Sequence, residues 1–156
     1  MKWKKILLLL ICVCPLGYAS EAFYSSKEHS VHLYVKGGAF TIIPTVGLGV
    51  LFESENHHGL DFSANTAILV NSLKGLYQHP ISSNGRWYAG AGLGANWVTG
   101  MFNNRRWDYA GISIEQKIGY QWVGQRGFLH FFQLELSEGE FIDWYPIPTL
   151  TLGVGF

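Results

Sequence analysis

Residues 146–156 read PIPTLTLGVGF, and the fold prediction starts from this segment. From Leu150 onward every second residue is apolar, whereas the residues between them are threonine or glycine. A period of two is typical of a β-strand that has one apolar face and one face of small residues. The alternation ends on an aromatic residue, Phe156. The sequence therefore predicts an amphipathic final strand.

The same period recurs in seven segments upstream of this strand. They cover residues 31–36, 46–52, 60–65, 73–79, 87–97, 109–123 and 128–137. No segment after residue 19 has a helical period, so the sequence predicts an all-β fold. Eight strands are an even number, which returns the end of the barrel to the side where it began.

Turn-forming residues predict where the strands are connected. Residues 37–44, which begin with two glycines and end with a proline, are predicted to connect the first two strands. Residues 80–85 are predicted to form the turn before the fifth strand, with Asn84-Gly85 as its strongest signal. Between the third and fourth strands two interpretations remain open. Either Asn71-Ser72 forms a turn, or one long strand runs through residues 59–79.

The face opposite the apolar residues contains many glycines, among them Gly90, Gly92 and Gly94. On a strand facing water these glycines would weaken the sheet without a gain. A narrow eight-stranded barrel, in contrast, has room inside for few large side chains. Charged residues make up 14% of the chain, against roughly 25–35% of a soluble surface. We therefore predict that the apolar face points toward lipid; the alternative is a soluble periplasmic β-barrel that binds a small apolar ligand.

Trp87 and Trp97 lie ten residues apart on one predicted face. At ~3.3 Å per residue and a strand tilt of ~40°, they are separated by about 25 Å along a barrel axis. That is also about the height of the lipid-facing band between two aromatic girdles. The residues predicted to form the girdles are Trp87, Trp97, Tyr120, Trp122 and Phe156.

Residues 1–19 have the pattern of a secretory signal peptide, with a basic start, a short apolar run and small residues before Ser20. Both cysteines lie in this segment, so the mature chain is expected to use no disulfide. Removing three lysines from 11 basic residues leaves eight against 11 acidic ones, a net charge of −3. This charge does not favour binding to nucleic acid. Residues 20–30 are predicted to be a flexible lead-in to a barrel over residues 31–156.

The signal peptide, eight candidate strands and terminal Phe156 resemble small Gram-negative outer-membrane β-barrels, of the OmpX kind and the OmpA membrane domain. The resemblance implies an eight-stranded antiparallel up-and-down transmembrane β-barrel, located as a monomer in the cell outer membrane. It implies outer-membrane lipids and lipopolysaccharide as partners, together with the assembly machinery, which recognises the C-terminal strand. It implies no cofactor and no metal.

The interior face of such a barrel would contain four ionisable residues and a glutamine: Asp61, Glu115, Lys117, Gln133 and Glu135. A lone charge is costly there, so we expect these groups to pair. A three-residue loop at 124–126 would place Glu115 opposite Glu135. A five-residue loop would instead place Lys117 opposite Glu135, which is the better arrangement. The network is interpreted as a structural plug, with an ion-conducting pore as the alternative.

The histidines do not complete a known catalytic pattern of outer-membrane lipid A-modifying enzymes. A lipid A deacylase would need a serine two residues after its histidine, but Phe132 follows His130 at that spacing. His57-His58 is interpreted as part of a solvated turn rather than a metal site. We therefore predict no catalytic residue, and a lipid A-modifying enzyme remains an alternative.

The predicted external loops contain the residues best suited to contacts outside the cell. Arginines pair well with phosphates, and aromatic residues beside them could anchor a partner. The predicted contact residues are Arg105, Arg106, Trp107 and Trp144. The sequence therefore predicts a structural or surface-interaction role, either adhesion or contact with lipopolysaccharide, with a narrow, porin-like pore or ion channel as an alternative.

Overall fold

The computed structural model describes residues 29–40, 43–67, 70–99, 107–139 and 146–156. The predicted signal peptide and most of the predicted lead-in lie outside these residues. So do Arg105, Arg106 and Trp144. Among the described residues no helix is long and apolar enough to cross a membrane.

Eight antiparallel strands form a closed barrel, as predicted. Each strand pairs with its neighbours in the sequence, and the first pairs with the last. The strands are β1 (His29–Phe40), β2 (Ile43–Ser54), β3 (Gly59–Ala67), β4 (Val70–Pro80), β5 (Trp87–Thr99), β6 (Trp107–Val123), β7 (Leu129–Gly139) and β8 (Ile147–Gly155).

The two ends of the barrel differ in their connections. The terminal end contains the start of β1, the end of β8 and the turns 55–58, 81–86 and 124–128. The loop end is where residues 41–42, 68–69, 100–106 and 140–146 join the strands. The described turns thus all lie at the terminal end.

The two faces of the barrel are those that the alternation predicts. Large apolar side chains on the outside are exposed, for example Leu48, Leu93 and Leu152. Several glycines on the inside lie against large side chains. A Cβ added at Gly49 would overlap the Tyr34 ring, and one added at Gly153 would overlap the Phe131 ring. These glycines therefore make room for the aromatic residues that fill the narrow interior.

Two of the predicted connections between strands need correction. Residues 37–40 continue β1 and residues 43–44 begin β2, so the predicted connection 37–44 is mostly strand. Asn71 and Ser72 belong to β4, because β3 ends at Ala67 and β4 begins at Val70. The structure therefore has two strands between residues 59 and 80, but the turn is not at Asn71-Ser72. Residues 41–42 and 68–69, which separate these strands in the sequence, lack the glycine and asparagine signals on which turn patterns rely.

Smaller corrections concern where two strands begin. β1 starts at His29, two residues inside the predicted lead-in, and β6 starts at Trp107, a residue predicted to lie in a loop. The β5–β6 ladder contains a bulge, since Asn96 pairs with Gly111 whereas Trp97 pairs with Tyr109. Gly111 has a φ of 127° at this point, a conformation for which glycine is favoured.

The first and last strands close the barrel. Their ladder runs from Tyr34 opposite Gly155 to Phe40 opposite Thr149. Beyond it, Leu33 and Phe156 exchange two backbone hydrogen bonds, of 3.0 and 2.8 Å. The terminal phenylalanine is thus part of the seam, and its side chain is exposed on the outer face.

Candidate functional site: the barrel lumen

The structure places the five polar residues predicted for the interior on the lumen face, where all are buried: Asp61, Glu115, Lys117, Gln133 and Glu135. The β6–β7 turn has five residues, and its register sets Lys117 opposite Glu135. That is the arrangement favoured by the sequence. The ion pair of Lys117, however, does not follow the ladder.

Lys117 reaches across the lumen to β3. Its Nζ lies 2.5 Å from Oδ2 of Asp61. The hydroxyl of Tyr34 donates to the other carboxylate oxygen, also at 2.5 Å, and Lys117 Nζ lies 5.1 Å from the centre of the Tyr88 ring. Three strands that are not neighbours are thereby joined through one carboxylate.

Glu135 is the acceptor for two lysines. Lys36 Nζ lies 2.7 Å from its Oε1, and Lys74 Nζ lies 2.9 Å from its Oε2. Gln133 and Thr151 also donate to Oε1, at 2.7 and 3.3 Å. Such complete pairing is what a buried carboxylate requires.

Glu115 lies closer to the loop end. Its Oε2 is 2.8 Å from Lys74 Nζ. Its Oε1 accepts hydrogen bonds from the hydroxyls of Ser113 and Ser137, at 2.6 and 2.7 Å. Lys74 therefore bridges the two glutamates, and the three lumen lysines balance the three carboxylates Asp61, Glu115 and Glu135.

Two members of this network, Lys36 and Lys74, were not among the lumen residues predicted from the sequence. Lys36 could have been predicted, because it lies two residues after Tyr34 and therefore on the same strand face, opposite to Val35. Lys74 has the same parity as Leu76 and Gln78, which also face the lumen. Strand parity alone would have found both lysines.

Toward the terminal end the lumen is filled by packed side chains. Tyr34, Leu51, Leu129 and Phe131 form a buried cluster, in which the Tyr34 and Phe131 rings meet edge to face at 5.1 Å. We call these four residues the lumen plug. The void beside it measures about 10 Å³, which leaves space for about one water molecule.

Below the lumen plug, polar side chains link the terminal turns. Gln78 donates to Gln121 at 3.0 Å, and Gln121 donates to Glu53 at 3.3 Å. Glu53 Oε1 also lies 2.7 Å from Nδ1 of His57, in the turn after β2. The lumen is therefore closed between its charged centre and the terminal end.

Toward the loop end the lumen opens into a cavity of about 140 Å³. The lysines Lys36 and Lys74 and the carboxylate of Glu135 lie at its base. Above them, the walls include small polar side chains: Thr45, Asn65, Ser72, Asn96, Ser113, Ser137, Thr149 and Thr151. The described histidines lie near the other end of the barrel, so none of them approaches these hydroxyls as a general base would.

The residues predicted for the aromatic girdles lie on the outer face. Trp87 packs against Tyr120 with ring centroids 5.1 Å apart, and Tyr120 lies 5.8 Å from Trp122. Trp122 in turn stacks on His130 at 5.4 Å. These rings lie near the terminal end, whereas Trp97 lies toward the loop end of β5. The geometry is that of amphipathic rings at two levels of a barrel.

Comparison with solved structures shows a similar fold in another protein. The N-terminal β-barrel domain of Pseudomonas aeruginosa OprF aligns with a TM-score of 0.62 and 18% sequence identity. The alignment covers 81% of this chain and 95% of that domain. The sequence matches no protein-family model and no curated protein. The similarity shows a shared eight-stranded β-barrel fold.

Proposed function

We propose that this protein is a monomeric outer-membrane β-barrel whose body is a structural plug and whose external loops contact the cell's surroundings. One observation carries the proposal: the polarity of the chain is inverted relative to a soluble protein. Among the described residues, ion-paired lysines and carboxylates such as Lys36, Lys117 and Glu135 are buried inside, while leucines, valines and phenylalanines are exposed outside. Lipid is the solvent that suits such a surface.

Two further features support an outer-membrane location. Antiparallel closure pairs all the strands and leaves no open edge, as a membrane interior requires. The alternating strand β8, together with the aromatic Phe156 that follows it, resembles the strand that the assembly machinery recognises in Gram-negative outer-membrane barrels. The N- and C-terminal ends of the barrel would then face the periplasm, and the loop end would face outward.

The loop end is the natural place for the surface contact. The proposed contacts are Arg105 and Arg106 with lipopolysaccharide phosphates, and Trp107 and Trp144 with an apolar surface. This role needs no enzymatic activity. The side chains inside the lumen instead keep the barrel closed, because the lysines and carboxylates form ion pairs with one another.

Refolding in detergent tests the barrel itself. We expect the protein to migrate differently on a gel when unboiled and boiled, with a β-type circular dichroism spectrum before boiling. A closed barrel resists the detergent until it is heated. Absence of a shift, together with good solubility after detergent removal, would contradict the membrane location.

A double substitution tests the lipopolysaccharide contact. We expect Arg105→Ala with Arg106→Ala to reduce the lipopolysaccharide that co-purifies with the barrel. Arg86→Ala with Arg126→Ala is the matched control, because these exposed arginines lie in terminal turns. Equal amounts of lipopolysaccharide with both double variants would contradict the contact and leave adhesion as the proposed role.

A narrow pore is the second candidate function, because the cavity at the loop end reaches the charged centre of the lumen. Conduction would require the ion pairs and the lumen plug to open. Planar-bilayer recording separates the two proposals. Steady conductance that disappears in Lys117→Ala would favour the pore. A wild-type barrel without conductance would favour the structural role.

A further inference from the structure

Two histidines lie side by side on the outer face near the terminal end. His58 directly precedes β3, and His79 is the penultimate residue of β4. The β3–β4 ladder pairs Gly59 with Gln78, so His58 and His79 occupy the next position along it. Their ring centroids are 4.9 Å apart. From the sequence, His58 was interpreted as part of a solvated turn. In the structure its ring contacts the ring of His79.

Tyr77 fixes the orientation of His58. The tyrosine ring stacks on the histidine ring, with centroids 5.9 Å apart and planes 22° from parallel. The tyrosine hydroxyl also hydrogen-bonds to Nδ1 of His58. This leaves Nε2 as the nitrogen of His58 that is available to a ligand. His79 is exposed, and its ring makes no hydrogen bond to another described residue.

We propose that His58 and His79 together bind one divalent transition-metal ion of the kind that imidazole prefers, Zn²⁺, Cu²⁺ or Ni²⁺. Two imidazoles that share an ion at ~2.0–2.1 Å have ring centroids about 4.5–5.2 Å apart for angles of roughly 90–110°. The observed 4.9 Å lies within that range. Tyr77 is a positioning residue, in the way that outer-shell partners hold metal-ligating histidines.

The neighbouring His57 does not belong to this site. Its φ of 61° turns the chain, and its Nδ1 lies 2.7 Å from the Glu53 carboxylate on the lumen side. The described residues contain no group of three or more His, Cys, Asp or Glu that could hold a metal. The histidine pair thus supplies two ligands, and water completes the coordination. Such an open site exchanges its ion, in contrast to a closed structural site.

Copper and zinc titrations of the untagged, chelator-treated, refolded mature chain, residues 20–156 without Cys12 and Cys14, test the proposal. We expect one Zn²⁺ per barrel by calorimetry, and an electron paramagnetic resonance spectrum of bound Cu²⁺ that shows two imidazole nitrogens. His58→Gln and His79→Gln should each leave one nitrogen and weaken Zn²⁺ binding by about tenfold or more. His130→Gln is the matched control, because this histidine stacks on Trp122 at the same end. It should bind like the wild type.

Tyr77→Phe separates positioning from ligation. It keeps the stacked ring and removes the hydroxyl, so we expect about tenfold weaker Zn²⁺ binding with both nitrogens still visible. Gel mobility before and after boiling confirms that each variant is folded. Equal Zn²⁺ affinity of the wild type and the His58→Gln/His79→Gln double variant would overturn the proposal. So would a wild-type Cu²⁺ spectrum with no more than one imidazole nitrogen.

Discussion

The two halves of the lumen are stabilised by different kinds of interaction. The terminal half is filled by the lumen plug, whose rings and leucines leave a void of about 10 Å³. The loop half holds lysines and glutamates in ion pairs below a cavity of about 140 Å³. Packing closes one half, and charge pairing spans the other.

The difference shows how a narrow barrel tolerates buried charge. Each lysine in the lumen contacts at least one carboxylate, and each carboxylate has additional hydroxyl or amide donors. Complete pairing of this kind offsets the cost of removing charges from water. Side chains in the plug instead gain from close packing, which needs no directional partners.

The largest expected effect comes from breaking the charged half. Glu135→Ala leaves Lys36 without its ion-pair partner and should lower the free energy of unfolding by about 3–5 kcal/mol. Urea unfolding in lipid vesicles, followed by tryptophan fluorescence, measures this. Glu138→Ala is the matched control on the same strand, outside the lumen network, with an expected change within about 0.5 kcal/mol. Similar losses in both variants would show that the pairing does not stabilise this half.

The packed half is tested by Leu129→Ala. Loss of this buried side chain should cost about 2–4 kcal/mol, because a cavity remains in the plug. Leu150→Ala on the outer face is the matched control. It loses the transfer free energy without leaving a cavity, about 1–2 kcal/mol. Unfolding measurements that rank the two variants in the opposite order would contradict a tightly packed plug.

Tyr34 belongs to the lumen plug, and its hydroxyl hydrogen-bonds to a charged residue of the network. Tyr34→Phe removes a hydrogen bond to the Asp61 carboxylate and should cost about 1.5–3 kcal/mol. Tyr88→Phe removes a hydrogen bond to the neutral Gln133 amide and should cost about 0.5–1.5 kcal/mol. Equal costs in the same unfolding assay would mean that the charge of Asp61 adds nothing to the bond.

The smallest effect concerns pH and lies outside the lumen. The pKa of His58 is lowered in the folded protein, mainly by burial and then by His79 and His57. The unfolded chain therefore binds a proton more readily, beginning near the ordinary pKa of about 6.5. The contribution of His58 to stability should be fully present above that pH and decline as the pH falls. Unfolding curves between pH 8 and 5 should show a weaker decline in His58→Gln, and identical profiles would contradict this origin.

Strand faces and the β6–β7 register followed from the sequence, because parity and loop length are local properties. The alternation at Leu150, Leu152 and Val154 is sufficient to assign the outer face. The bond between Lys117 and Asp61 was not predictable in this way, since the two residues are on strands that are not neighbours. Contacts across a lumen depend on where the barrel closes, which no single strand specifies.

The misplaced β3–β4 turn has a different cause. Residues 67–70 read AILV, an apolar run without turn-forming residues, whereas Asn71-Ser72 has the composition of a turn. In the structure Ser72 is buried in the lumen and accepts a hydrogen bond from Asn65 at 3.3 Å. A polar residue inside a barrel strand is indistinguishable by type from a polar residue in a turn. The His58–His79 contact could not be predicted either, because it depends on the register of β3 and β4, which follows from the position of this turn.

The seam between Leu33 and Phe156 has a consequence for how the chain folds. The seam joins residues from opposite ends of the barrel sequence, so the barrel can close only after the last strand is in place. Until then β1 and β8 present unpaired edges, which are templates for aggregation. Long-range pairing is also slow, because loop closure precedes the contacts that reward it. The nascent chain therefore needs protection during a slow search, until β8 pairs with β1.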